Sequence, residues 1–301
     1  MDGQISSALK GDMRSLKLAS LAPFLFVLLW STGFVGAKYG LPFADPFAFL
    51  AIRVFIAALI LFVVAGLLRA PIRIGTSAII RSAFIGFCLH ALYLGGVFFA
   101  ISKGVPAGTA AVITSLQPVL VSILAVQVLG EKLRAVQLVG LVCGLVGVVM
   151  VLGPTFNGST SIVGISAAFI ALFGTTAATL FQKKFGSGIP MLAGTAYQYV
   201  ASGMFLGVVA IVSGHTHIQW SHKFIAAMVW LILALSVGAV LILLTLLNRG
   251  SAASVSSLFY LVPPATAIEA YFLFGEKVNT QGFLGIGITA LGVWLVIRKT
   301  S

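Results

Sequence analysis

His90 and Tyr93 stand three residues apart in the apolar stretch IGFCLHALYLGGVFFA, Ile85 to Ala100. On a helix they share one face with Gly86 and Val97. An imidazole and a phenol placed there could bind a polar ligand or carry a proton. A neutral histidine bonded between helices is the competing reading. Gln117 shares a face with Thr114 and adjoins Pro118, so it could bind substrate or satisfy backbone groups that a mid-helix proline frees. Trp30 adjoins Ser31 and Thr32, and Tyr260 precedes Pro263-Pro264. With Tyr93 they could wall a cavity for apolar groups, although packing explains any one aromatic alone. Arg53 and Glu269 are charges stranded in apolar runs. Similar depth and opposite sign lead us to expect an ion pair, or an outer gate, with a substrate-carboxylate site at Arg53 as the rival.

These residues do not make an enzyme. Intramembrane catalysis needs paired carboxylates, a nucleophile with its base, or a metal set, and Glu269 is the only carboxylate inside an apolar run. His215, His217 and His222 crowd one polar stretch, yet no acid or cysteine completes a ligand set. Cys88 and Cys143 each fall in an apolar run and read as small buried hydrophobes. The expectation is therefore no catalysis, no cofactor and no metal.

What must position the candidates is a membrane bundle. Hydrophobic residues make up 60% of the 301 and charged residues 8%, with a mean hydropathy of +1.14. Soluble domains carry about 25% charge, so lipid is the solvent here. Met1–Lys17 is polar and of mixed charge, and no cleavable signal is expected. Apolar runs of spanning length fall near 21–40, 46–68, 79–101, 106–128, 135–152, 163–182, 190–213, 225–247, 252–274 and 281–298. With the N-terminus inside, the outer connections hold only Lys38, Lys103, Lys223 and Lys277, Arg53 lies within a span, and the other thirteen basic residues are inside. That bias places both termini in the cytoplasm. It also accounts for the net charge of +12 without nucleic acid.

Gly130-Glu131-Lys132 recurs as Gly275-Glu276-Lys277, 145 positions later. The same offset carries Pro118 onto Pro263, Gly140 onto Gly285 and Gly147 onto Gly292. The chain is thus a duplication of about five helices, and an odd number forces the copies to insert in opposite directions. The organisation expected is a cytoplasmic segment 1–20, a first repeat 21–153, an outer linker 154–162 and a second repeat 163–299. The fold class is all-α, with ten transmembrane helices in two inverted five-helix repeats. Pro118 and Pro263 read as hinges. Gly130 and Gly275 end helices in the left-handed conformation, and Glu131 and Glu276 reach the donors that open the next helix.

Inverted repeats with interrupted helices are transporter architecture. On the Trp30 region and the two Pro…Gly-Glu segments, the sequence resembles the drug/metabolite transporter superfamily, specifically its ten-helix EamA-type members. Within them it is most similar to the bacterial YddG-type amino-acid exporters. The resemblance implies an exporter of the bacterial inner membrane. It also implies a central cavity lined by helices 1, 3, 4, 6, 8 and 9, with 5 and 10 at the periphery. No Walker A sequence appears, so ATP does not drive it directly. A carrier of organic cations would need a carboxylate deep in the first span, where Leu28–Thr32 stands. A carrier of phosphorylated compounds would need several convergent basic groups. The expectation is alternating-access export of neutral or zwitterionic metabolites, amino acids with aromatic or other apolar side chains foremost. The alternatives are export of other drugs or metabolites, or a structural membrane protein, which matched prolines in both halves would not serve. The partners expected are a small-molecule substrate and the bilayer, and a monomer is compatible with this.

Overall fold

The structure, a computed structural model, describes residues 21–37, 39–105, 110, 113–152, 161–274 and 280–297. Gly275 and Glu276, with Lys277, lie outside the described residues. Among the described residues the regular structure is helical, apart from one isolated bridge between Ala44 and Ile218. The helices are α1 (21–37), α2 (Pro46–Leu67), α3 (Thr76–Ser102), α4 (Gln117–Leu129) and α5 (Ala135–Leu152), then α6 (Ile162–Phe185), α7 (Met191–Val212) and α8 (His222–Arg249). They are followed by α9 (Ala252–Ser257), α10 (Val262–Phe274) and α11 (Thr280–Ile297). Seven stretches among the described residues are long and apolar enough to cross a membrane, those containing α1, α2, α3, α6, α7, α8 and α11. Residues such as Leu59, Phe173 and Leu284 are exposed on these helices, which suits a lipid surround.

Helix starts follow local chemistry. Ser161, Ser221 and Ser251 cap α6, α8 and α9 by accepting from the N–H groups of Gly164, Phe224 and Ser254. Pro46 opens α2, where a missing N–H costs nothing.

Four helical stretches depart from regular α geometry, and they match between the halves. Phe87–Leu94 within α3 and Leu231–Ala239 within α8 are π-helical. Shifted by 145 positions, the first segment falls on 232–239, inside the second. A turn at Ser115–Leu116 precedes α4, and a 3-10 turn at Leu258–Leu261 precedes α10; the same shift superposes them. Pro118 and Pro263 are therefore not kinks in continuous helices. Each is the second residue of a helix that restarts after a break, a position that tolerates proline.

α5 and α11 pack as a close antiparallel pair. A Cβ on Gly140 would lie 2.6 Å from the Gly292 carbonyl oxygen, and one on Gly147 would lie 2.7 Å from that of Gly285. Gln137 Nε2 also donates to the Val296 carbonyl at 3.3 Å. Only glycine permits this approach.

The two ends of the bundle are tied differently. At one end, Asp45 N–H donates to the His217 carbonyl at 3.0 Å, and Gln219 N–H to that of Phe43 at 2.7 Å. At the other, Gly130 ends α4 with φ +69°, as expected. Glu131 departs from expectation. Its carboxylate accepts from the N–H groups of Ala252 at 2.7 Å and Ala253 at 3.4 Å, the start of α9 in the other repeat. The helix that follows Glu131 instead has Gln137 accepting from Arg134 N–H. Lys183 Nζ donates to the Leu247 and Gly250 carbonyls at 2.8 and 2.6 Å. The α8–α9 connection is thus gripped by a cation at one helix's C-terminus and an anion at the next one's N-terminus, the signs the helix dipoles favour.

Candidate functional site

Two adjoining hollows lie at the level of the matched breaks. The first is walled by Trp30 and Phe34 of α1, Arg53 of α2, His90 and Tyr93 of the α3 π segment, and Tyr199 of α7, and is closed by Leu235 of α8. Its empty space is about 530 Å³ including the open mouth, but the part a water molecule's centre can reach is about 30 Å³. That holds a few waters, so a metabolite enters only when the walls part. The second hollow, of about 300 Å³, shares Phe34 and Tyr93 with the first. Beyond that shared wall it is lined by Thr114, Gln117, Thr175, Phe259 and Pro263. Besides the six helices expected as lining, α2 and α7 contribute. α5 and α11 give no residue to either hollow.

The first hollow is aromatic with a few placed polar groups. Trp30 Nε1 donates to Tyr93 Oη at 3.3 Å, and their rings stack 6.4 Å apart, 13° from parallel. The His90 ring lies 4.5 Å from that of Tyr199. Neither His90 nitrogen has a hydrogen-bond partner, although the residue is only 1% exposed. Arg53, 2% exposed, donates from Nε to Ser236 Oγ at 2.9 Å. Tyr199 donates its phenolic proton to the Ser236 carbonyl. Ser236 sits in the α8 π segment, where the i→i+5 pattern disturbs the ordinary ladder and suits a carbonyl that accepts from a side chain.

In the second hollow Gln117 Nε2 donates to Thr179 Oγ1 at 3.1 Å, while Gln117 Oε1 and Thr175 Oγ1 have no partner. Buried polar atoms are nearly always satisfied by protein or water. Such a concentration marks a site for water or ligand.

Trp30, His90 and Tyr93 therefore meet in one hollow, with Gln117 in the next. Tyr260 does not join them. It is fully buried, its hydroxyl has no partner, and its ring packs against Gly144 of α5. Phe259 takes the place expected for it, stacking edge-on with Trp30 at 5.3 Å between centroids. The expected pair of Arg53 and Glu269 does not form either. Glu269 Oε1 accepts from Ser31 of α1, and its Oε2 has no partner. Depth and sign alone do not fix which neighbour a side chain faces, and the break before α10 resets that direction. The 3-10 turn overwinds the helix by about 20° per residue, and the acidic face of α10 turns to α1 instead of α2. Tyr199 and Ser236 were missed from sequence; the one signal was a polar residue within each of two long apolar runs.

The profile of the EamA-like transporter family matches this sequence twice, over residues 17–153 and 162–298. An "Uncharacterized transporter YvbV" of Bacillus subtilis is 25% identical over 294 residues, 95% of this chain and 93% of that one. An "Uncharacterized inner membrane transporter YedA" of Escherichia coli is 28% identical over 94% of this chain and 92% of its own length. A "Probable amino-acid metabolite efflux pump" of Escherichia coli is 25% identical over 90% and 92%. Among solved structures that match, a crystal structure superposes with a TM-score of 0.77, at 18% identity, over 93% of this chain and 97% of its own, which shows a shared fold.

Proposed function

Because this chain belongs to the EamA-like transporter family, and so is a multi-pass membrane transporter, we propose that it exports small neutral or zwitterionic metabolites, amino acids with apolar side chains foremost. In this reading it is a secondary transporter of a bacterial inner membrane, with ten spans and both termini cytoplasmic, and performs no catalysis. The observation that carries the proposal is the pair of hollows walled by both repeats at their matched breaks. Broken helices at mid-depth expose backbone and polar side chains only where they line a cavity. An aromatic wall with few polar groups suits a molecule with one apolar and one polar end. The relative named as an amino-acid metabolite efflux pump supports the same class. Rocking of one repeat against the other would open the constricted hollow to each side in turn.

A second reading adds proton coupling through His90, favoured by its two unpartnered nitrogens. Reconstitution tests both. Proteoliposomes preloaded with leucine or phenylalanine should accumulate the labelled amino acid by exchange, and protein-free liposomes should not. Exchange of sugar phosphates but no amino acid would overturn the substrate class. Uptake unaffected by an imposed pH gradient would remove coupling.

A further inference from the structure

Resting on that reading of the hollow, we propose that Arg53 recognises a carboxylate on the transported molecule, and that the molecule's amino group is dispensable. A guanidinium stays protonated in proteins, and a buried charge calls for a partner of opposite sign. The protein supplies none among the described residues. The chain has six carboxylates, and the three described ones are engaged elsewhere. Asp45 Oδ2 accepts from His217 N–H at 2.9 Å at the bundle's end. Glu131 holds the start of α9, and Glu269 accepts from Ser31. Asp2 and Asp12 precede the first helix and Glu276 follows α10, all outside the described residues.

What surrounds Arg53 instead is neutral. Ser236 Oγ accepts a hydrogen bond from its Nε–H, and the phenols of Tyr93 and Tyr199 stand beside it. With the Nε edge occupied, the two terminal nitrogens remain, and their parallel N–H bonds suit the two oxygens of a carboxylate. The same hollow presents Trp30, Tyr93 and Phe98 to an apolar side chain. For an ammonium it presents no carboxylate among its described lining residues. His90, the other titratable neighbour, adds positive charge if it ionises. Recognition is thereby one-sided: the acid end is held by charge, and the amino end meets ring faces.

The test is calorimetric binding to the purified full-length protein in detergent. The ligands are leucine and phenylalanine, their carboxamides, and the corresponding acids without an amino group, 4-methylpentanoate and 3-phenylpropionate. The deaminated acids should bind within about threefold of the amino acids, and the carboxamides about tenfold more weakly or worse. Arg53→Gln should abolish the preference for acid over amide. If that variant does not fold, the ligand series on the parental protein decides alone. Carboxamides binding as well as acids would overturn the role of Arg53 while leaving transport intact. Loss of binding by the deaminated acids would overturn the dispensable amino group. No binding by any of the six, with no exchange in proteoliposomes, would overturn the amino-acid reading and this inference together.

Discussion

Two buried tyrosines test opposite sides of one rule. Tyr199 donates to the Ser236 carbonyl, so Tyr199→Phe leaves a buried acceptor unpaired and should cost about 1–3 kcal/mol. The Tyr260 hydroxyl is buried without a partner, so Tyr260→Phe should leave stability unchanged or raise it. Thermal unfolding of the purified variants measures both, and a shared drop would refute the assignment of Tyr260. His90 separates in another way. If it contacts substrate, His90→Ala should lower transport per molecule about tenfold or more while the yield of membrane-inserted protein holds; parental transport would make it a packing residue. At this scale the sequence disclosed groups whose position within a span is unusual: His90, Tyr93 and Arg53 line the first hollow and Gln117 the second. It did not disclose which way residues after a break point, so Tyr260 and Glu269 were placed on the wrong neighbours. Periodicity carries azimuth only as far as the helix is regular.

Between elements, the informative contact is that of Glu131 with the start of α9. Glu131→Ala removes acceptors from two N–H groups 121 and 122 residues away and should cost about 1–2 kcal/mol, read as a lowered unfolding temperature. If unfolding is unchanged while transport falls, the contact serves the conformational cycle more than the fold. Its existence was half legible. Gly-Glu announced a helix end and a capping carboxylate, but the capped helix lies in the other repeat, and sequence order favours the nearest candidate. The π segments were not legible at all. FCLHALYL and the matching ILALSVGA share no residue at any aligned position, yet both leave the α pattern. What the two segments share is their place in the fold, since both contribute lining residues to the first hollow, and not a motif.

For the molecule as a whole, the duplication was legible because glycine and proline leave fixed marks, whereas the spans' sidedness rests on charge. His215 in the α7–α8 connection and Ser187 in the α6–α7 connection are exposed and belong to opposite faces in the proposed topology. In a cysteine-free background, cysteine at 215 should react with an impermeant thiol reagent added to intact cells, and cysteine at 187 only after lysis. The reverse would overturn the topology with both termini cytoplasmic. The glycine seam of α5 and α11 carries a further consequence. Gly140 meets Gly292 and Gly147 meets Gly285, while the repeat equates Gly140 with Gly285 and Gly147 with Gly292. Each partner therefore offers the other an equivalent surface turned end for end, the relation that joins identical subunits about a dyad. A gene encoding one half would make a polypeptide able to pair with its own copy, provided that copies entered the bilayer in both directions. Joined in one chain, the two halves are free to diverge, so that the two hollow walls, Arg53 on one side and Ser236 on the other, become different.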